Sequence, residues 1–312
     1  MKVAFVFPGQ GSQSVGMLND FEGHPVVSDV VARASEALGE DLGQLIAQGP
    51  AETLNLTVNT QPALLTASYA MYAAYLAEGG RKPDMMAGHS LGEYSALTAA
   101  GVFSLADAVK TVRFRAQAMQ SAVPVGIGTM AAILGLDDDT VCGVCEQAAE
   151  GEVVEPVNYN SPGQVVIAGH KGAVERACQL ASQAGARRAL VLPVSAPFHS
   201  SLLRPAAERL AEQLAQTPMN APTIPVIANV DVVAHEDVDA IRRILALQAA
   251  SSVQWVKTIL AMQEAGVTHI VECGPGRVLN GLIRRIAPSI TVLNINSKES
   301  LAAVLDTDGF RA

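Results

Sequence analysis

DMMAGHSLGEYSALTAA, residues 84 to 100, joins two unlike pieces of chain. Asp84-Met-Met-Ala-Gly88 is a short, largely apolar run closed by a glycine, and it reads as a buried strand. Leu91 to Ala100 is rich in small and apolar residues and reads as a helix. Between them stands Gly88-His-Ser-Leu-Gly92, a match to G-x-S-x-G. The match is informative because a strand enters it and a helix leaves it. In that setting Ser90 occupies a sharp turn, and flanking glycines tolerate the strained backbone and the close approach of neighbouring chain. The amide of Leu91 then points from a helix N-terminus at the place where an oxyanion would form. The same residues could be only a helix cap in a glycine turn. The strand before and the helix after favour a nucleophile at Ser90.

Outward from this turn, the pattern repeats. Val3-Ala-Phe-Val-Phe7 is an apolar run closed by Pro8-Gly9, and Ile224–Ala228, His269–Cys273 and Ile290–Asn294 read as further buried strands. Helical patterns are expected over residues 25–38, 60–76, 105–121 and 204–215. Strands that are apolar throughout and alternate with helices predict an α/β fold. Its larger domain is hydrolase-like, with a mostly parallel sheet covered by helices. One stretch departs from this. Strands at 128–135, 153–158, 164–169 and 188–193 and helices at 138–149 and 173–184 follow the order βαββαβ, with Ser161-Pro-Gly163 as a turn. That is the ferredoxin-like pattern, here read as an inserted small domain over 125–195. The large catalytic domain then comprises 1–124 and 196–312, and the cleft between the two is the default active site.

The chain of 312 residues is long enough for about two domains, and 49% hydrophobic against 16% charged residues supplies a packed core. A net charge of −9, with basic residues clustered in nothing longer than short pairs such as Arg81-Lys82, Arg187-Arg188 and Arg284-Arg285, sets nucleic acid aside. The apolar run at Val3–Phe7 is too short for a signal segment, and no stretch approaches the ~18 apolar residues of a spanning helix. A cytoplasmic protein, with no membrane partner, is expected. Cys142 and Cys145 form a lone C-x-x-C without the second pair a zinc site needs, and read as two buried small hydrophobes on a helix. No metal is expected.

A serine nucleophile needs a base. Of the six histidines, His269 lies inside an apolar strand, and His24, His170 and His235 lie in polar, loop-like stretches. His89 adjoins Ser90, but neighbours on a tight turn point apart, so it packs or orients the turn. His199, in Ser195-Ala-Pro-Phe-His-Ser200, falls at the junction between the two domains and is the favoured base. At about 100° per residue, Ala108, Val112, Arg115 and Met119 share one stripe of a helix, opposite Lys110 and Arg113. Arg115 thus projects from an apolar face and needs an anionic partner. A protein carboxylate and a substrate carboxylate held by the guanidinium fork are equally open. Met119, on the same stripe, is a further candidate for the pocket wall. Pro8-Gly-Gln-Gly-Ser-Gln13 hints at a dinucleotide loop, but Ser14 stands where the third glycine belongs. The preferred reading is a loop in which Gln10 supplies the second oxyanion donor.

These segments together resemble the malonyl-CoA:acyl carrier protein transacylases, within the acyltransferases of fatty acid and polyketide synthesis. The resemblance covers essentially the whole chain, through FVFPGQGSQ, NTQPALL, AGHSLGEYSAL, RFRAQAM, NYNSPGQVVIAG, PFHS and VECGPGRVL. It implies that Ser90 is acylated and that His199 is its base, oriented by a main-chain carbonyl at Gln248. It implies an oxyanion hole from the backbone amides of Gln10 and Leu91, and a clamp for the malonyl carboxylate at Arg115. Gln61 and Asn160 match polar residues of the pocket. Phe198 stands before the histidine, as in malonyl-selective polyketide domains, whereas some bacterial transacylases carry a smaller residue. The implied partners are malonyl-CoA and acyl carrier protein. No cofactor is implied, coenzyme A entering as the substrate thioester, and a monomer is expected. Carrier proteins of the family are acidic, so an acidic enzyme needs a local basic patch, for which Arg187-Arg188 and Arg284-Arg285 are candidates. Competing readings are an α/β-hydrolase esterase, a malonyl-transferring subunit of a malonate decarboxylase, and a non-catalytic acyl-CoA binder.

Overall fold

The computed structural model describes residues 1–312. The chain begins with β1 (Val3–Phe7), α1 (Pro25–Leu38), α2 (Leu42–Gln48), α3 (Ala51–Leu54), α4 (Thr57–Ala77), β2 (Met85–Gly88), α5 (Leu91–Ala99) and α6 (Leu105–Ser121). Next come β3 (Gly128–Leu134), α7 (Asp138–Ala149), β4 (Val154–Ser161), β5 (Gln164–His170), α8 (Lys171–Gln183) and β6 (Arg188–Val191). The remainder is α9 (Arg204–Gln216), β7 (Val226–Ile227), α10 (Val238–Gln248), α11 (Trp255–Glu264), β8 (His269–Cys273), α12 (Val278–Ile286), β9 (Thr291–Ile295) and α13 (Lys298–Leu305). No helix is long and apolar enough to cross a membrane.

Two sheets organise these elements. The first has the order β7-β2-β1-β8-β9, and every neighbouring pair is parallel. Its central strand shows why the apolar runs are continuous. Val3, Phe5 and Phe7 point into a core shared with α1, α4, α5 and α6. Ala4 and Val6 point the other way, into a core built with Trp255, Ile259, Leu279 and Ile283 of α11 and α12. Successive side chains on a strand face opposite ways, so a strand covered on both sides must be apolar at every position.

The second sheet is antiparallel, with the order β4-β5-β3-β6. This is the ferredoxin-like arrangement expected of βαββαβ. α7 and α8 cover one face, burying Ala131, Ile133, Val165 and Ile167 against Val141, Val144 and Ala177. On the opposite face Met130, Val157, Val166 and Ala168 pack with Leu192, Val194 and Phe198. Phe198 also packs against the core of the parallel sheet, so the crevice between the sheets is lined from both sides.

Several boundaries differ from the sequence reading. The strand expected at 224–228 is only Val226–Ile227. Pro225 has no N–H to offer and contributes only its carbonyl, to Met86, and at Ala228 the chain turns back on Val233. β6 stops at Val191, ahead of Pro193, for a related reason. β4 runs on to Ser161, past the expected end at 158, with register shifts at Pro156/Asn158 and Tyr159/Ser161. Ser161 is therefore the last residue of a strand, and the turn is Pro162-Gly163.

Candidate active site

The site forms where the strands of the parallel sheet end. β1 and β2 are in register, so Phe7 lies beside Gly88, and the His89 amide donates to the Phe7 carbonyl at 3.0 Å. The chain then turns at Ser90, whose φ of 52° and ψ of −111° leave the ordinary regions for an L-residue. The flanking glycines are required by contact. A methyl at Gly88 would collide with the carbonyl of Gly92, and one at Gly92 with the carbonyl of Phe7.

The Ser90 hydroxyl donates to Nε2 of His199 at 2.7 Å. His199 arrives from the loop between β6 and α9, also on left-handed backbone, with φ of 67°. Its Nδ1–H donates to the main-chain carbonyl of Gln248 at 2.8 Å. A carbonyl can only accept, so this bond keeps the proton on Nδ1 and turns the lone pair of Nε2 toward the serine. Burial, reinforced by the charge of Arg115, pushes the imidazole down to about 3. The ring is therefore neutral at physiological pH and competent to take a proton.

Arg115 is 1% exposed, yet no carboxylate pairs with it. Nη1 donates to Oε1 of Gln61 at 2.8 Å, and Nη2 to Oε1 of Gln248 at 2.8 Å and to Oγ of Ser90 at 3.2 Å. The ring of Tyr94 lies 5.3 Å from the guanidinium carbon. Of the two partners left open by the sequence, a directly paired protein carboxylate is absent. A cation held by neutral amides beside a hydroxyl is arranged to receive an anion from outside.

A cavity opens over these groups, lined by Gln10, Gln61, Ser90, Leu91, Arg115, Met119, Phe198 and His199, with His89, Met130, Asn158, Leu192 and Val194 completing the wall. The backbone amides of Gln10 and Leu91 border it and donate to no protein acceptor. The Gln10 side chain is turned away, donating to Thr57 at 3.2 Å. Asn160 is not in the wall. Its Oδ1 accepts from His89 Nε2 at 2.7 Å, so the His89 ring separates it from the cavity, while Asn158 takes the lining position. His89 also packs edge-on against Trp255, which agrees with a packing and orienting role.

Two buried residues at the centre escaped the sequence reading. Asn229 accepts from the Ser90 amide at 2.8 Å and donates to the Gly88 carbonyl at 2.6 Å, clasping the turn from both sides of the serine. Glu93 accepts from the Asn229 amide at 3.1 Å and from Nε2 of Gln248 at 2.8 Å. Burial pushes this carboxyl up to about 7. A faint signal existed for Glu93: it is the one charged residue in the small-residue helix after Ser90. Asn229 offered only its place after an apolar run.

The remaining polar candidates lie elsewhere. His24 pairs with Glu78 at 3.2 Å and His235 with Asp231 at 2.8 Å. His269 bonds Thr268, and His170, which ends β5 instead of lying in a loop, accepts from the Val153 amide. Cys142 and Cys145 are free thiols, the first 3.7 Å from the Tyr159 hydroxyl and the second buried. No three His, Cys, Asp or Glu side chains gather as metal ligands.

Comparison with known proteins bears on this arrangement. Residues 4–303 match the acyl transferase domain family. The malonyl CoA-acyl carrier protein transacylase of Escherichia coli (strain K12) is 57% identical over 304 residues, 97% of this chain and 98% of that protein. That of Bacillus subtilis (strain 168) is 44% identical over 308 residues, 98% and 97%. Among solved structures, an acyl-carrier-protein S-malonyltransferase from Burkholderia pseudomallei 1710b superposes with a TM-score of 0.97 at 57% identity, covering 98% of this chain and 99% of that one. A malonyl-transacylase solved in complex with a type II PKS acyl-carrier protein superposes with a TM-score of 0.97 at 48% identity, covering 99% and 100%.

Proposed function

The chain belongs to the acyl transferase family, and from that membership and the site's geometry we propose that it transfers the malonyl group of malonyl-CoA to the phosphopantetheine thiol of acyl carrier protein, supplying fatty acid synthesis. The observation that carries this reading is the Ser90–His199 hydrogen bond of 2.7 Å set beside a buried guanidinium that lacks a carboxylate. His199 removes the hydroxyl proton as Ser90 attacks the thioester carbonyl. The amides of Gln10 and Leu91 hold the tetrahedral oxyanion. The C–S bond breaks, coenzyme A leaves as the thiol with the proton from His199, and a malonyl ester remains on Ser90. The carrier protein's thiol then attacks that ester, and the steps run in reverse. One thioester is exchanged for another, so the chemistry balances without metal or redox cofactor. Arg115 receives the acid tip of the acyl group, and Gln61 and Gln248 hold its fork in place. Met119 and Phe198 form the apolar wall around the three-carbon chain. We read the enzyme as a cytoplasmic monomer.

Intact-mass measurement after mixing with malonyl-CoA alone tests the reading. A malonyl adduct on Ser90, absent in Ser90→Ala, is the expected result. Rapid release of free malonate with no adduct would instead indicate an esterase.

The carrier protein is expected to dock on basic surface. Arg187 and Arg285, one from each candidate pair, line a single groove with Asp137 and Gln164, and Arg285 reaches Gln164 at 3.4 Å. Reversing both charges should raise the KM for carrier protein by about tenfold, mainly through slower encounter, without changing adduct formation from malonyl-CoA. An unchanged KM places docking on another surface.

A further inference from the structure

Glu93 is a buried charge that the transfer chemistry does not call on. It lies in the first turn of α5, 2% exposed. Its Oε2 accepts from Gln248 Nε2 at 2.8 Å, and the same amide presents Oε1 to Arg115 Nη2 at 2.8 Å. One side-chain amide thus stands between a buried carboxylate and a buried guanidinium, and neither ion has a closer opposite charge. Asp231, in the loop after β7, repels Glu93, and Tyr94 lies next to it on its own helix. His199 is reached only through the Gln248 backbone, and His89 is engaged with Asn160. α4, β1, β2 and β7, packed against α5, carry no charged residue, and of the charged residues on α6, which also packs against it, Asp107, Lys110, Arg113 and Arg115, Arg115 alone is buried.

We infer that Glu93 is the resting counter-ion of Arg115, and that it takes up a proton when the carboxylate of an incoming acyl group occupies the guanidinium. The inference rests on Arg115 being the clamp for that carboxylate. Two carboxylates sharing one guanidinium away from water cannot both stay ionised. The malonyl carboxylate sits on the fork itself, whereas Glu93 acts through an amide, so Glu93 is the group that neutralises. Its carboxyl, already raised to about 7 in the free enzyme, moves higher. Proton uptake then accompanies binding wherever the free enzyme holds Glu93 ionised, which is above about pH 7. Malonyl affinity therefore falls as pH rises past 7, by about tenfold per pH unit in the limit of one proton per acyl group. Below that range Glu93 is protonated beforehand and the dependence disappears. An acetyl group brings no carboxylate and shows neither effect.

The test uses the whole enzyme and malonyl-CoA at pH 8 in weak buffer with an indicator dye, adduct formation being followed by intact mass. Ester formation with departure of coenzyme A as its thiol leaves the proton count unchanged, and at pH 8 His199 remains neutral. Uptake approaching one proton per malonyl-Ser90 is expected. Glu93→Gln keeps an oxygen acceptor for both of its partners, and should abolish the uptake and flatten the rise of the malonyl-CoA KM between pH 7 and 9. An adduct formed without uptake, or uptake unaltered in the variant, overturns the inference and leaves the transferase reading standing. The wild-type KM profile decides independently of how the variant folds: a profile flat across that range also overturns it. Absence of any adduct overturns the reading of Ser90, and this inference with it.

Discussion

His199→Ala lowers the rate of Ser90 malonylation by about 10³-fold, within the span usual for a positioned general base. No other group can replace the imidazole. The second ring nearby, His89, spends its Nε2 on Asn160, and the other contact to Ser90 Oγ is a donor, Arg115 Nη2. What survives is the contribution of the oxyanion amides and of substrate binding. Single-turnover quench with mass detection measures the rate. A loss of threefold or less would remove His199 from the mechanism. Because burial and the charge of Arg115 hold the imidazole near 3 in the free enzyme, kcat/KM for the wild type should not decline as pH falls through 6.5, where an ordinary histidine would protonate.

Arg115→Ala separates substrates more than it separates rates. Removing one member of a buried, hydrogen-bonded charge pair costs about 3–4 kcal/mol, so kcat/KM for malonyl-CoA should fall roughly 10²–10³-fold. Acetyl-CoA makes no such pair, and its transfer should fall far less, shifting the preference between the two donors by about 10²-fold. Arg115→Lys restores a charge but not a planar fork, and recovers only part of the loss. Equal losses for both donors would mean that Arg115 serves the architecture of the site and not the recognition of an acid tip.

What the sequence made legible follows from how far each signal reaches. Helices α1 and α6 fall where their patterns place them because their ends are local. Gly39 closes α1 in the left-handed region, and the Ser104 hydroxyl caps α6 by accepting from the Asp107 amide. Ser90 was legible because strand, turn and helix are contiguous, and Arg115 because one helical stripe exposes the anomaly of a cation on an apolar face. β7 is shorter than the apolar run that contains it because such a run says nothing about how many ladder bonds survive next to Pro225. Asn160 was placed in the wall and Asn158 was not, because that choice depends on where the His89 ring lies, 71 residues earlier. Glu93 and Asn229 were missed for the same cause. Their roles exist only through contacts spanning 155 and 139 residues, to Gln248 and to Ser90, which no local periodicity encodes.

The neutral carbonyl behind His199 also bears on which bonds this enzyme can cut. An aspartate in that place would prolong the life of an imidazolium, long enough to deliver a proton to a reluctant amine as a peptide bond breaks. A carbonyl dipole lends less support, so the charged ring is fleeting. Sulfur is a far better leaving group than an amine, so a short-lived imidazolium is enough to hand the proton to the departing thiol. The enzyme is thereby suited to shuttle acyl groups between sulfur atoms, and amides of the same acid should pass through it almost untouched.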